Sequence, residues 1–353
     1  MGRRLRPSGR GEQHEGAGGL SLGPNGVGLK AWDPQRYGSL SIPDDAYSYD
    51  IFSQVGKALL SPQNSAVLGG ARPKQLIGYG DSQSAFRLVT YVDAIQPRDQ
   101  IYDSFLIHSR FGTPAALNTG ATPPNGTIIR TDTNTAKIIT LETESDIARN
   151  NGFLSARQPD SSSFRLWELT GGSHISDDEE LLQRIQAFKE WPLNSPPLNF
   201  NVCTQKTDTL DEGAVVDTAL HDLGVWTSHD GHGAAPPRFP LLDVSGTGSS
   251  AAYVLDSSGD TVGGLRMPQI TVPIETLHGL GNTGTANCSL QGVAGEYSTA
   301  QLQTLYPTHA AYVAKFAAAV RGAQRAGILE PYDAEDEIDQ AQDSAVPETA
   351  YVP

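Results

Sequence analysis

Cysteine is nearly absent from this sequence: Cys203 and Cys288 are the only two in 353 residues. Two cysteines exclude a disulfide-dense scaffold and a zinc site built on thiolates. They could pair with each other, but with no export signal in view a buried free thiol is the expected state. Basic residues are also short, 25 against 40 acidic ones, for a formal net charge of −15. Nucleic acid and anionic membranes both need a clustered basic surface, so neither is an expected partner. The one dense basic cluster is the opening "GRRLRPSGR", within a Gly-rich stretch that has no apolar period. No run of about 18 apolar residues occurs, and no apolar segment follows the N-terminal arginines. Neither a membrane span nor an export signal is visible, which leaves the cytoplasm as the default compartment. A phosphate-cradling loop is missing too, because "GGLSLGPNGVGL" has no strand before it and no helix after it.

What is present reads as a folded chain with many loops, 38% hydrophobic with 37 Gly and 23 Pro. That length suits one large domain or a core with a second lobe. Residues 1–28 read as a flexible arm. In "YSYDIFSQVGKALL", 47–60, the apolar positions Tyr47, Ile51, Val55 and Leu59 recur every four residues and predict one face of a helix. A regular rhythm follows. "KQLIGYGD" (74–81), "YDSFLIHSR" (102–110), "AKIITLETESD" (136–146) and "SSSFRLWELTGGSH" (161–174) are strand candidates, separated by the helix "SAFRLVTYVDAI" or by long connections. Such spacing predicts a parallel α/β sheet flanked by helices. Ser176 and Glu179 form a capping-box pattern ahead of the apolar positions Leu181, Leu182, Ile185 and Phe188. The core is placed at 29–194 and an appended lobe at 195–329, with helices expected at "GAVVDTALHDLGVW" and at 308–327, the latter ending on Gly327. An acidic tail, 330–353, carries eight acids and no base over 330–348 and reads as a solvated helix face or a frayed end.

The chemistry concentrates in "LIGYGDSQSAFRLVTY", 76–91, where Ser82 sits between a strand and a helix. A nucleophile on such an elbow needs small residues two positions either side, and Gly80 and Ser84 supply them, although Ser84 stands where Gly is usual. The helix start then offers the Gln83 backbone N–H to an oxyanion. In this architecture the order is Ser, acid, His, each after a strand. "ETESD" ends the third strand candidate with Asp146, and "TGGSH" ends the fourth with His174. Asp146 is the expected orienting acid, His174 the general base and Ser82 the nucleophile. Glu142 and Glu144 are the alternative acids, placed too early to clear the sheet. His108 comes too early in the chain for the base and is expected to line the pocket. "HDGH", with His229, Asp230 and His232, and nearby His221 read as a polar loop rather than a metal site. No metal and no cofactor are expected. Arg266 reads as structural rather than as a carboxylate binder.

Eight segments carry a resemblance: "LKAWDPQRYGSL", "YSYDIFSQVGKAL", "GDSQSAFRLVTYVDAI", "YDSFLIHSR", "ETESD", "RQPDSSSFRLWELTGGSHIS", "GGLRMPQITVP" and "LYPTHAAYVAKF". In this order they resemble the α/β-hydrolase domain-containing protein family, a poorly characterised bacterial and fungal branch of the α/β-hydrolase superfamily. The resemblance covers most of 29–330. It implies an α/β-hydrolase fold with Ser82 as nucleophile, His174 as base and 195–330 as an appended lobe or lid region of the same domain. The expected substrate is a small-molecule carboxylic ester. One departure is notable: the family carries early strands ahead of the "LKAWDP" segment, and none is legible here before residue 74. The expectation is therefore a sheet incomplete at its N-terminal half, whose exposed edge favours a homo-oligomer. An inactive, truncated relative that acts as a binding protein is the alternative function.

Overall fold

The structure, a computed structural model, describes residue 30 and residues 33–352, apart from 119–123, 125, 134, 149–151, 178–180, 182–184, 186–201, 229–232, 248–249, 285–286 and 351. The expected arm at 1–28 and most of the helix expected after Ser176 lie outside those residues.

Among the described residues four parallel strands form the main sheet, in the order β1 (Ile77–Asp81), β2 (Ser104–His108), β3 (Lys137–Thr143) and β4 (Phe164–Leu169). Sequence order equals spatial order, so every crossover turns the same way. The last three strands are buried almost throughout, as expected of a parallel sheet covered on both faces. Side chains alternate between two cores. Phe105, Ile107, Ile138, Phe164 and Leu166 point to one face, while Leu106, Ile139, Leu141, Trp167 and Leu169 point to the other.

The first face is covered by α1 (Tyr47–Leu60) and α2 (Gln83–Thr90), which continues through a π-helical turn at Tyr91–Ile95. In α1 the residues turned inward are Tyr49, Ser53 and Gly56, with Phe52 stacked 4.5 Å from Tyr102. This corrects the expected face at three of its four positions, since Tyr47, Ile51 and Val55 are exposed while Leu59 packs against the core. Gly56 explains the choice. A Cβ there would lie 2.6 Å from Ile101 Cγ2, so the helix approaches the core along a stripe that hydrophobicity alone does not mark.

The second face is covered by residues far along the chain. Helix α3 (Glu144–Ala148) follows β3 directly and sends Ile147 into the first core, whereas α4 (Glu212–Trp226) runs back across β2 and β3 on the second face. Trp226 takes the Arg165 guanidinium over its ring at 4.9 Å. A hairpin of β5 (Glu275–His278) and β6 (Val293–Glu296) and the helix α5 (His309–Ala326) complete this layer. Gly327 ends α5 in the left-handed conformation. The acidic stretch forms α6 (Pro331–Asp343), which packs on α5 through Ala334, Glu337 and Ala341 and leaves Glu335, Asp336 and Asp339 outward. It is thus solvated on one face only. The second half of the chain is stitched to β4: Trp167 Nε1–H donates to the Pro237 carbonyl at 3.1 Å, and the Leu242 N–H donates to Glu168 Oε2 at 2.8 Å.

Cys203 and Cys288 form a disulfide, which corrects the expected free thiol. The backbone brings them together, since Thr204 N–H donates to Thr283 O at 2.7 Å and Asp208 N–H to Gln291 O at 3.0 Å. Nothing in the local sequence signals a pairing across 85 positions. Closing so long a loop restricts the unfolded chain, and the double variant Cys203→Ser/Cys288→Ser is expected to lose about 4 kcal/mol. Denaturant unfolding without reductant measures it, and parent protein given a dithiol reductant should move toward the variant.

Candidate active site

Ser82 occupies a strained turn. Its φ is 52° and its ψ −117°, a conformation rarely held by a residue with a side chain. Strand β1 ends at Asp81 and α2 begins at Gln83, so a single residue converts one into the other. Gly80 makes the turn possible: a Cβ there would sit 2.9 Å from the Ser84 carbonyl carbon. Two hydrogen bonds fix the turn, Ser82 N–H to His108 O and Phe86 N–H to Ser82 O, each 3.0 Å. Helical bonding in α2 starts with that second bond, so the Gln83 N–H has no intrahelical partner. The Ser82 hydroxyl makes no cap to its own helix. It lies 2.7 Å from His174 Nε2 instead.

His174 is delivered by the loop after β4. Gly171 takes φ 80°, where a Cβ would press on Ile270 and Leu277. Three consecutive side chains from the end of β3 then grip this loop. Glu144 accepts the Gly171 N–H at 2.8 Å, the Ser145 hydroxyl oxygen accepts the His174 N–H at 2.6 Å, and Asp146 Oδ1 lies 2.6 Å from His174 Nδ1. With Nδ1–H given to Asp146, Nε2 is left to accept the Ser82 hydroxyl proton. Asp146 is fully buried, and burial alone would raise its pKa. The His174 charge and the Thr143 N–H and hydroxyl, at 2.9 and 2.6 Å, outweigh it and hold the carboxyl at about 2. For His174 burial acts downward, but the Asp146 carboxylate, with Asp81 behind it, raises the pKa overall.

The structure thus brings Ser82, Asp146 and His174 into one hydrogen-bonded line and keeps the alternative acids out of it. Glu144 spends both oxygens on backbone, Gly171 N–H and Gly279 N–H, the latter at 3.0 Å. Glu142 points into the opposite core near Arg110, where burial pushes its pKa well up. His108 was expected to line the pocket. It is 6% exposed and lies beneath the elbow, with Nε2 2.6 Å from Glu212 Oε1 and Nδ1 3.4 Å from Asp81 Oδ1. Burial lowers the pKa of His108, but Glu212 and then Asp81 overcome this and lift it to about 9. Arg266 serves structure, donating to the Thr261 carbonyl and pairing with Asp256. His229, Asp230 and His232 lie outside the described residues. His221 is exposed, 3.5 Å from Glu330, and no cluster suited to a metal occurs among the described residues.

Sequence reasoning missed the supports. Glu144 and Ser145 had a signal, a polar run directly after a buried strand, but their partners Gly171 and Gly279 carry no mark of it. The His108–Glu212 pair spans 104 positions without a local pattern.

A family model described as "Alpha/beta hydrolase domain" matches residues 12–339. No curated protein and no solved structure matches the chain.

Two outcomes follow from these contacts. Glu144→Ala strips two buried N–H groups of their acceptor and is expected to cost about 2–4 kcal/mol in denaturant unfolding, with Glu144→Gln costing less. His108 has a raised folded pKa, so its contribution to stability is full below the unfolded value of about 6.5 and fades as pH rises through about 9. A thermal scan series from pH 6 to 10 should show that decline in the parent and a flatter profile in His108→Gln.

Proposed function

The chain belongs to the alpha/beta hydrolase domain family, and from that membership we propose that it is a serine hydrolase acting on carboxylic esters. The observation that carries this reading is the state of Ser82: backbone at φ 52°, side chain released from helix capping, hydroxyl 2.7 Å from His174 Nε2. Strain of this kind at a turn is kept where it serves a site.

In the proposed reaction His174 takes the Ser82 proton as Oγ attacks the ester carbonyl. The tetrahedral oxyanion faces the start of α2, where the Gln83 N–H and the helix dipole favour negative charge. Collapse of the intermediate expels the alcohol, which receives its proton from His174, and leaves an acyl group on Ser82. Water, activated by the same imidazole, then attacks the acyl-enzyme and frees the acid. Asp146 stays charged throughout and stabilises the imidazolium. Esters need less leaving-group activation than amides, which makes an ester the favoured substrate.

One observation favours a second reading, an inactive relative that binds and does not turn over. Strand β1, which carries Ser82, stands at one end of the sheet order. Exposure to a fluorophosphonate probe followed by intact-mass measurement separates the two. A single adduct in the parent and none in Ser82→Ala is the expected result. Turnover of a short-chain p-nitrophenyl ester should fall by about 10⁴-fold or more in His174→Ala and about 10³–10⁴-fold in Asp146→Asn. Folded parent protein with neither adduct nor turnover would leave the binding reading standing.

A further inference from the structure

We propose that His108, clasped between Glu212 and Asp81 directly beneath the nucleophile turn, is a positioning residue: its imidazolium offsets the carboxylate charge of that cluster, and so favours the neutral form of His174 that accepts the serine proton. The inference rests on the reading of Ser82 and His174 as nucleophile and base.

Geometry carries it. Asp81 immediately precedes Ser82 and pairs in register with His108 across β1 and β2. Strand alternation sends both side chains to the face on which α4 packs, where Glu212 in the first turn of α4 reaches His108 at 2.6 Å. The Ser82 N–H bonds to the His108 carbonyl, so charge and backbone act on the same turn. The groups that face His108 are Glu212 from α4, Asp81 and the Tyr79 hydroxyl from β1 (the latter 3.4 Å away), and beyond them Asp146 and His174. Asp208 also feels the Glu212 charge.

The need for such a balance is electrostatic. A general base must be neutral to work, and His174 already has one carboxylate, Asp146, against its far nitrogen. Asp81 adds a second negative charge that favours the spent imidazolium form, whereas the positive His108 disfavours it. Without His108 the base would hold its proton to higher pH, and activity near neutrality would fall. A residue that only tied α4 to the sheet would alter stability and leave the basicity of His174 alone.

The test compares parent, His108→Gln, Asp81→Asn and the double variant. It reads the acid limb of kcat/KM against pH on a short-chain p-nitrophenyl ester, and the titration of the His174 imidazole proton by NMR. His108→Gln is expected to move the limb upward by about one pH unit, Asp81→Asn to move it downward, and the double variant to return toward the parent. Opposite signs from two neighbouring residues are not expected of a structural role. Unmoved titration of His174 in folded His108→Gln and Asp81→Asn would overturn the proposal. Should His108→Gln fail to fold, Asp81 is the more exposed partner and Asp81→Asn decides alone: a downward shift supports the balance and no shift overturns it. Fluorophosphonate labelling of the parent tests the nucleophile reading separately, because the NMR titration reports on His174 whether or not esters are turned over.

Discussion

A serine backbone at φ 52° costs about 1–3 kcal/mol, and Ser82 is held there by hydrogen bonds on either side and by the close approach of α2 that Gly80 permits. That one turn sets the rest of the site. It ends β1 at the carboxyl edge of the sheet, starts α2 immediately, and pushes the hydroxyl out of the cap position and into reach of His174. The next two strands must then end level with it. They do: β2 finishes with His108 paired to Asp81, and β3 runs on just far enough to present Asp146. Crevices at this edge of a parallel sheet are where ligands bind in such folds.

Around the turn, buried carboxyls are sorted by what they touch. Asp146 meets a histidine and two Thr143 donors and is held at about 2. Asp208 is equally buried, but among the described residues one of its oxygens has no hydrogen-bond partner and burial pushes its pKa well up. Glu142 follows the same rule on the opposite face. The same residue types are therefore pushed in opposite directions by their surroundings, and donors supplied by the backbone and by histidine decide which way. Glu144 shows a third use, with both oxygens committed to holding a loop.

Much of this was legible from the residues because parallel strands are continuous apolar runs and their ends are marked by polar residues. "YDSFLIHSR", "AKIITLETESD" and "SSSFRLWELTGGSH" each contain the observed strand, and the three residues read as a triad lie at the ends of such runs. What escaped depends on contacts between distant positions. The buried stripe of α1 is chosen by Gly56 against Ile101 and Tyr102, and a glycine adds nothing to a hydrophobic pattern. The disulfide, the His108–Glu212 pair and the Glu144–Gly279 bond are set by how the second half of the chain packs on the sheet, which period and spacing do not encode.

The Glu144–Gly279 bond also orders events during synthesis. Its partners are 135 residues apart, and a Cβ on Gly279 would fall 2.2 Å from the Gly172 carbonyl, so the hairpin lies hard against the loop that carries His174. A ribosome adding roughly 5–20 residues per second has β1 to β4 and all three aligned side chains outside well before Gly279 emerges. For that interval, on the order of ten seconds, the nascent chain holds its serine and histidine without the hairpin that backs the His174 loop. Support behind the His174 loop is thus added late, and a chain interrupted before the hairpin would hold every residue of the line without that backing.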